Sequence, residues 1–448
     1  MTLQTKKITL SLFFALITFA VMSTLFTLSQ SSLMAIIVLM VTLWTNEGLP
    51  LAAVSLLPIV LFPATGILTT KEAALNYANP IIYLFFGGFL LAIAVEKTGL
   101  HKWIANKMLG LFPSHARGII FALIITSGLL SSVLSNTTTT LLLLPIALFL
   151  TDDKGLKLRL ALGIAYGASI GGILTPIGTA PNLVLLGIMN DVGLEPIAFV
   201  QWIWMVAPLV FVMFGVVGYI LGLGIKDTEI SPDLATPKLN KDQKKVIVLL
   251  LGLIVLLLVN APIRPYYDGL GLSEPGILLA SGLLLFAPPF SILQWNSDKE
   301  NIPFQIMFLF GAGFAIAMAF MQTGMAKEIA SHLLTLANMP TIIFMLIVAA
   351  MVTFTTELTS NTALISIMLP IIYEVAEASG LDVRLFMMIA TICASYAFML
   401  PIATPPNAIA MSSGVVNVKS MAMYGIVFNI AGVLLIVFIA NLLWSNLL

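Results

Sequence analysis

Long apolar runs, interrupted at a few fixed points by short clusters of Ser, Thr, Asn and Pro, set the pattern of this chain. A helix that crosses a bilayer needs about 20 apolar residues. On that measure the first half predicts crossings at about 8–28, 32–46, 50–68, 79–110, 157–190 and 198–224. The second half predicts them at about 246–262, 275–292, 302–335, 383–412 and 420–447. Two further apolar stretches, about 116–150 and 340–373, carry a polar cluster at their centre. Each half of such a stretch is too short to cross comfortably, so a re-entrant hairpin is expected. The predicted fold is an all-α polytopic membrane protein with about eleven transmembrane helices and two re-entrant hairpins.

The interruptions occur twice. Ser135-Asn136-Thr137 is followed by Pro176-Ile177-Gly178-Thr179-Ala180-Pro181-Asn182, and Ser360-Asn361-Thr362 by Pro401-Ile402-Ala403-Thr404-Pro405-Pro406-Asn407. Asn361 lies 225 positions after Asn136, as Asn407 does after Asn182, and no gap intervenes. The same offset relates Pro145 to Pro370, Thr98-Gly99 to Thr323-Gly324, Gly88-Phe89 to Gly313-Phe314 and Leu84-Phe85 to Leu309-Phe310. The organisation expected is a first crossing in 1–30, a repeat over 31–225 with its hairpin at about 116–150, a polar linker at 226–245, and a second repeat over 246–448 with its hairpin at about 340–373. An odd number of crossings separates equivalent points, so the repeats are inverted in topology, each with a broken helix. Their hairpins then enter from opposite faces and meet near the midplane, the layout of secondary transporters.

Composition agrees with that class. Of the 448 residues 60% are hydrophobic and 9% charged, against about a quarter charged in soluble domains. Twenty basic and twenty acidic residues balance, and no basic run invites nucleic acid. The single cysteine, Cys393, has no partner for an internal disulfide and sits in an apolar run as a small core residue. Lys6-Lys7 precede an apolar run longer than the core of a signal peptide, which reads as a retained first crossing. With the N-terminus cytoplasmic and the C-terminus outside, sixteen of the twenty Lys and Arg residues fall on the inner face and four on the outer, as the positive-inside rule requires. The first hairpin then enters from the cytoplasm and the second from outside.

The interruptions also carry chemistry. Half-helix N-termini present free N–H groups and partial positive charge, suited to a carboxylate. Free carbonyls at half-helix C-termini, with Ser, Thr and Asn oxygens, suit a hard cation. The prolines keep the helix from closing over the gap. Ser, Thr and Asn in membrane helices ordinarily serve as interhelical hydrogen bonds; duplication at a constant offset outweighs that reading. No Lys, Arg or His lies within either signal, so a dianion would be poorly compensated unless sodium ions bound beside it. Glu357, the nearest acid, matches Ser132 in the first copy and is expected to cap backbone amides or pair with a base rather than to carry a proton. Gly163, Gly167 and Gly171 are expected at a close helix contact. His101, His115 and His332 are expected in loops or at the interface, with no second ligand at metal spacing. An intramembrane enzyme would need a nucleophile with a base or a metal pair, and no His-Glu-x-x-His helix supplies one. The chain is therefore read as a transporter and not an enzyme; a passive channel stays open on the residues alone.

Residues 394–409, Ala394-Ser395-Tyr396-Ala397-Phe398-Met399-Leu400-Pro401-Ile402-Ala403-Thr404-Pro405-Pro406-Asn407-Ala408-Ile409, resemble the signature of the divalent anion:sodium symporters, with Ala410 where that pattern usually has Val. Thr356-Glu357-Leu358-Thr359-Ser360-Asn361-Thr362 is similar to the same family's second hairpin. The resemblance covers nearly the whole chain in length and layout. It implies a homodimer in the bacterial inner membrane, each protomer moving a transport domain against a scaffold by alternating access. It also implies sodium-driven uptake of C4 dicarboxylates such as succinate, malate and fumarate, without an organic cofactor. Carried over position by position, one sodium site falls on Ser131, Ser135, Asn136 and Gly178, the other on Thr356, Thr359, Asn361 and Ala403. These are counterparts at the same offset except Ser135 and Thr359. The substrate carboxylates would meet Asn136, Thr137 and Thr179 on one side and Asn361, Thr362, Thr404 and Pro405 on the other. A sodium-independent dicarboxylate exchanger, or a sulfate or citrate transporter of the same fold, is the alternative.

Overall fold

The computed structural model describes residues 2–225, 238–262, 267–337 and 339–446. Those residues form helices and no strand, and most of the expected linker, 226–237, lies outside them. Among them seven helices are long and apolar enough to cross a bilayer on their own. One of the seven, Asn361–Ala378, is an arm of the second hairpin, which corrects the expectation that every arm is too short to cross; several of the expected crossings divide into pairs of helices.

Local chemistry explains the pairs. The expected crossing at 50–68 is two short helices, Leu51–Ser55 and Leu57–Ala64. Pro58, in the first turn of the second, has no N–H to continue the first. Its counterpart at 275–292 is the helix Glu274–Leu283 followed by the 3-10 turn Leu284–Phe286, ending before Pro288 and Pro289. The stretch 79–110 divides into Pro80–Lys97 and Leu100–Leu109, and 302–335 into Phe304–Gln322 and Met325–Ala337. The dividing residues are the matched Gly99 and Gly324, at φ 68° and 70°, a conformation that glycine adopts without strain.

The hairpins preserve the internal repeat to the residue. The first has arms Ala116–Ser131 and Asn136–Phe149, the second Thr341–Thr356 and Asn361–Ala378. Adding 225 to 116, 131 and 136 returns 341, 356 and 361, three of the four helix bounds. The broken helices are Lys154–Gly172 with Ala180–Asp191, and Val383–Ala394 with Pro405–Ser412.

Packing interlocks the two copies. Ala180–Asp191 lies against Asn361–Ala378 and Val383–Ala394, while Pro405–Ser412 lies against Asn136–Phe149 and Lys154–Gly172. Each broken helix thus ends inside the other repeat, which brings all four interruptions together. Around this core Pro80–Lys97 packs on Glu274–Leu283, and its counterpart Phe304–Gln322 on Leu51–Ser55. The first of these contacts is backbone to backbone: a Cβ on Gly87 would lie 2.4 Å from the Leu278 carbonyl. The expected glycine contact is present too. Cβ atoms on Gly167 and Gly171 would meet the carbonyl oxygens of Ile124 and Gly128 at 2.6 and 2.1 Å, and one on Gly163 would touch the Ile124 side chain at 3.1 Å. Cys393 is free and fully buried.

Candidate functional site

At the first hairpin tip the chain is extended at Ser135, whose hydroxyl accepts the amide of Thr138 and closes that donor. The second tip turns at Ser360 without a side-chain cap. Behind each tip the same hydrogen bond recurs: Ser131 Oγ donates to Asn136 Oδ1 at 2.5 Å, and Thr356 Oγ1 to Asn361 Oδ1 at 2.6 Å. A hydroxyl and an amide oxygen are therefore held side by side in both halves. Such neutral oxygens suit a hard monovalent cation once the hydroxyl proton turns away.

The breaks are built on one plan. Thr179 and Thr404 precede the second half-helices in nearly identical extended conformations, φ −146° and −142°, ψ 150° and 148°. Prolines follow in the first turn of each, which removes amide donors there. The loops are braced by asparagines: Asn182 Nδ2 donates to the carbonyls of Gly172 and Thr175 at 3.3 and 2.9 Å, and Asn407 Nδ2 to those of Ala397 and Leu400 at 2.9 and 3.0 Å. The four acceptors match at the offset of 225. Gly178 and Ala403 fold back alike, donating their amides to Thr175 and Leu400 at 3.3 and 3.2 Å. At Gly178 a Cβ would sit 2.3 Å from the Gly172 carbonyl oxygen, so the first loop is too tight for a side chain.

Residues outside the signals complete the breaks. The carboxylate of Glu357 accepts the amides of Met399 and Leu400 at 2.9 and 3.0 Å and Asn429 Nδ2 at 2.7 Å. It therefore caps backbone amides. In the first half the matching position is reached from the other side, as the Thr175 hydroxyl donates to the Ser132 carbonyl. The carbonyl of Ile173 accepts the indole N–H of Trp202 at 2.9 Å.

All four interruptions line one cavity of about 610 Å³. Ser135, Asn136, Thr137, Gly178 and Thr179 face it from one repeat, and Thr359, Asn361, Thr362, Ala403, Thr404 and Pro405 from the other. Ser131 and Thr356 are fully buried behind Asn136 and Asn361. The opposite wall comes from the helix Leu28–Asn46, which supplies Val41, Trp44 and Thr45, and from Glu47 and Leu51 just beyond it. This wall was not visible in the sequence, because its residues stand at the end of an ordinary apolar helix with no duplicated signal.

Other marked residues sort differently. His101 is a correction to the loop or interfacial placement: the turn at Gly99 folds it under the preceding helix, where it is 3% exposed and its Nδ1 lies 3.1 Å from the Val95 carbonyl oxygen. His115 caps a helix by accepting the Gly118 amide, and His332 lies 3.8 Å from Glu328. Gly167-Ala168-Ser169-Ile170-Gly171 has the letter spacing of a hydrolase nucleophile turn. It lies within the continuous helix Lys154–Gly172, with Ser169 buried, and forms no such turn.

Comparison with known proteins gives a consistent result. The sequence profile of a family described as citrate transporters matches residues 36–385. The sodium-dependent dicarboxylate transporter SdcS of Staphylococcus saprophyticus is 30% identical over 443 residues, spanning 92% of this chain and 85% of that protein. The SdcS protein of Staphylococcus aureus strain USA300 is 32% identical over 440 residues, with 91% and 84% covered. The crystal structure of the YdaH transporter of Alcanivorax borkumensis aligns with a TM-score of 0.58 at 14% identity, over 84% of this chain and 87% of that one. This last likeness is one of fold.

Proposed function

The chain belongs to the citrate-transporter family of membrane carriers, and from that premise we propose that it couples sodium entry to the uptake of a small dianion, a C4 dicarboxylate such as succinate, malate or fumarate. The observation that carries this reading is the convergence of four half-helix N-termini on one cavity that, among the described residues, no Lys, Arg or His lines. Amides at Asn136, Thr137, Asn361 and Thr362, with the hydroxyls of Thr179 and Thr404, would receive the two carboxylates. The hairpin tips supply most of these donors, because the prolines at 181, 405 and 406 have none.

Sodium, carried with the substrate, would bind behind the tips. One ion takes Ser131, Ser135, Asn136 and the Gly178 loop; the other takes Thr356, Thr359, Asn361 and the Ala403 loop. Two such charges offset a dianion held in a site of low dielectric, where an uncompensated charge is costly. Coupling follows from this balance: the dianion is bound well only when the cations are present.

Alternating access is supported by the one-sidedness of the cavity. Glu47, Leu51, Ile306 and Leu309 line it, whereas their counterparts Leu272, Gly276, Ile81 and Leu84 do not. The charge bias of the loops supports a cytoplasmic position for that opening, with the N-terminus inside and the C-terminus outside. The same reading has the protein as a homodimer in a bacterial plasma membrane.

Uptake of labelled succinate into proteoliposomes, with and without an inward sodium gradient, tests the proposal. Sodium-stimulated uptake is expected. Uptake indifferent to sodium but dependent on internal dicarboxylate would show an exchanger, and failure to move any divalent anion would end the substrate assignment.

A further inference from the structure

A carboxylate stands on the wall of a cavity otherwise built to receive negative oxygens. The helix Leu28–Asn46 ends at Glu47, which takes the left-handed conformation at φ 52°, uncommon for a residue with a side chain. Its side chain is exposed and lines the cavity, which places it at the rim. Among the described residues that line the space it is the one that is ionisable. Lys7 sits beside the same turn, its carbonyl accepting Asn46 Nδ2, yet no ion pair among the described residues joins Glu47 to a base.

We propose that Glu47 is a specificity-determining residue, a fixed negative charge at the rim of the cytoplasm-facing cavity that weakens the hold on an anion bound there in proportion to its charge and so favours dicarboxylates over tricarboxylates in this conformation. This deepens the transport reading above and rests on it. Across about 10 Å, the width of a cavity of this size, one unit charge in a water-like dielectric changes affinity about twofold per ligand charge. A dianion is therefore held about fourfold more weakly than it would be without Glu47, and a trianion about eightfold. The same charge raises the local concentration of sodium at the opening. The counterpart of Glu47 is Leu272, so the internal repeat does not duplicate this carboxylate.

The test is equilibrium binding to the purified full-length protein in sodium, read by calorimetry or thermal shift. The probes are succinate and tricarballylate at a pH where all carboxyl groups are ionised. Glu47→Gln is expected to tighten succinate about fourfold and tricarballylate about eightfold, while Glu47→Asp keeps the wild-type ratio. Raising choline chloride at constant sodium narrows the difference, as screening requires. The inference is overturned if Glu47→Gln changes neither affinity, if it shifts both by the same factor, or if the wild type prefers tricarballylate. Wild-type protein that binds neither anion in sodium would instead overturn the transport reading itself, and the inference with it.

Discussion

Replacing Glu357 by Gln separates a structural carboxylate from a proton carrier. Three N–H donors converge on the two oxygens, those of Met399 and Asn429 on Oε1 and that of Leu400 on Oε2. A glutamine can keep its amide oxygen where Oε1 stands and still accept the first two. Its NH₂ group then faces the Leu400 amide, so one bond to a charged acceptor becomes an opposition of two donors. A hydrogen bond to a charged group contributes about 1.5–3 kcal/mol, and a buried donor left unsatisfied costs about 1–3 kcal/mol. Because Glu357 is only 3% exposed, solvent offers little relief, and a loss of about 2–4 kcal/mol is expected. The cost falls on the loop between Ala394 and Pro405, which carries Ala403, and on Thr356 next in sequence. If about 1.4 kcal/mol of it reaches the proposed sodium site, apparent sodium affinity falls about tenfold. Two measurements on Glu357→Gln decide the matter: the thermal midpoint in detergent with and without sodium, and the sodium dependence of uptake across pH. A lower midpoint with weakened sodium dependence and an intact pH profile is the expected result. Wild-type stability and sodium affinity together with a lost pH response would refute the capping role and establish a proton role.

Outside the membrane-spanning segments, burial raises the Asp298 carboxyl, but the Gln294 amide and the Lys97 ammonium, each 2.6 Å from Oδ2, outweigh it and hold the group below its ordinary value. A depressed folded-state pKa stabilises the fold above the unfolded value, about 3.9 for Asp, and that contribution is lost as pH falls through the lower folded value. The thermal midpoint of Asp298→Asn should therefore lie below wild type near neutrality and converge with it in acid, as scanning melts over pH will show. In the glycine contact, Gly171→Ala puts a Cβ 2.1 Å from the Gly128 carbonyl oxygen, whereas Gly215→Ala meets nothing within 4 Å. The first should lose about 1–3 kcal/mol or more and express poorly, the second should match wild type or exceed it slightly, and equal behaviour in a fluorescence size-exclusion assay would contradict the packing described.

The duplicated signals were legible because polar atoms and prolines are expensive in apolar surroundings, so each stands out and each counterpart confirms the register. The same register reappears in the structure, where helix bounds at 116, 131 and 136 recur at 341, 356 and 361. Less was legible where structure depends on contacts across long sequence separations. The bond from Asn429 to Glu357 spans 72 residues and that from Trp202 to Ile173 spans 29, and neither donor has a local signal. Hydropathy also hides short helices: residues 50–68 are apolar throughout apart from Ser55 and Thr65, and the break at Leu56 follows from Pro58 acting on backbone bonding rather than from any change in polarity.

The inverted repeat accounts for the shape of the site, and its departures from symmetry account for the chemistry that distinguishes the halves. Positions 132 and 357 meet positions 175 and 400 in both copies, yet the first contact is a neutral Thr175 hydroxyl on the Ser132 carbonyl and the second is the Leu400 amide on the Glu357 carboxylate. Both arrangements satisfy polar groups exposed by a broken helix, so the backbone can stay equivalent while the side chains diverge. Only the second break thereby acquires a full charge, held by dipoles rather than by a base. Glu47 and Leu272 diverge in the same way at the rim. A carrier with strictly identical halves would present the same field to a ligand from either side. These two carboxylates remove that equivalence of charge without moving a helix, because a fixed charge changes the local field while the backbone that carries it stays in place.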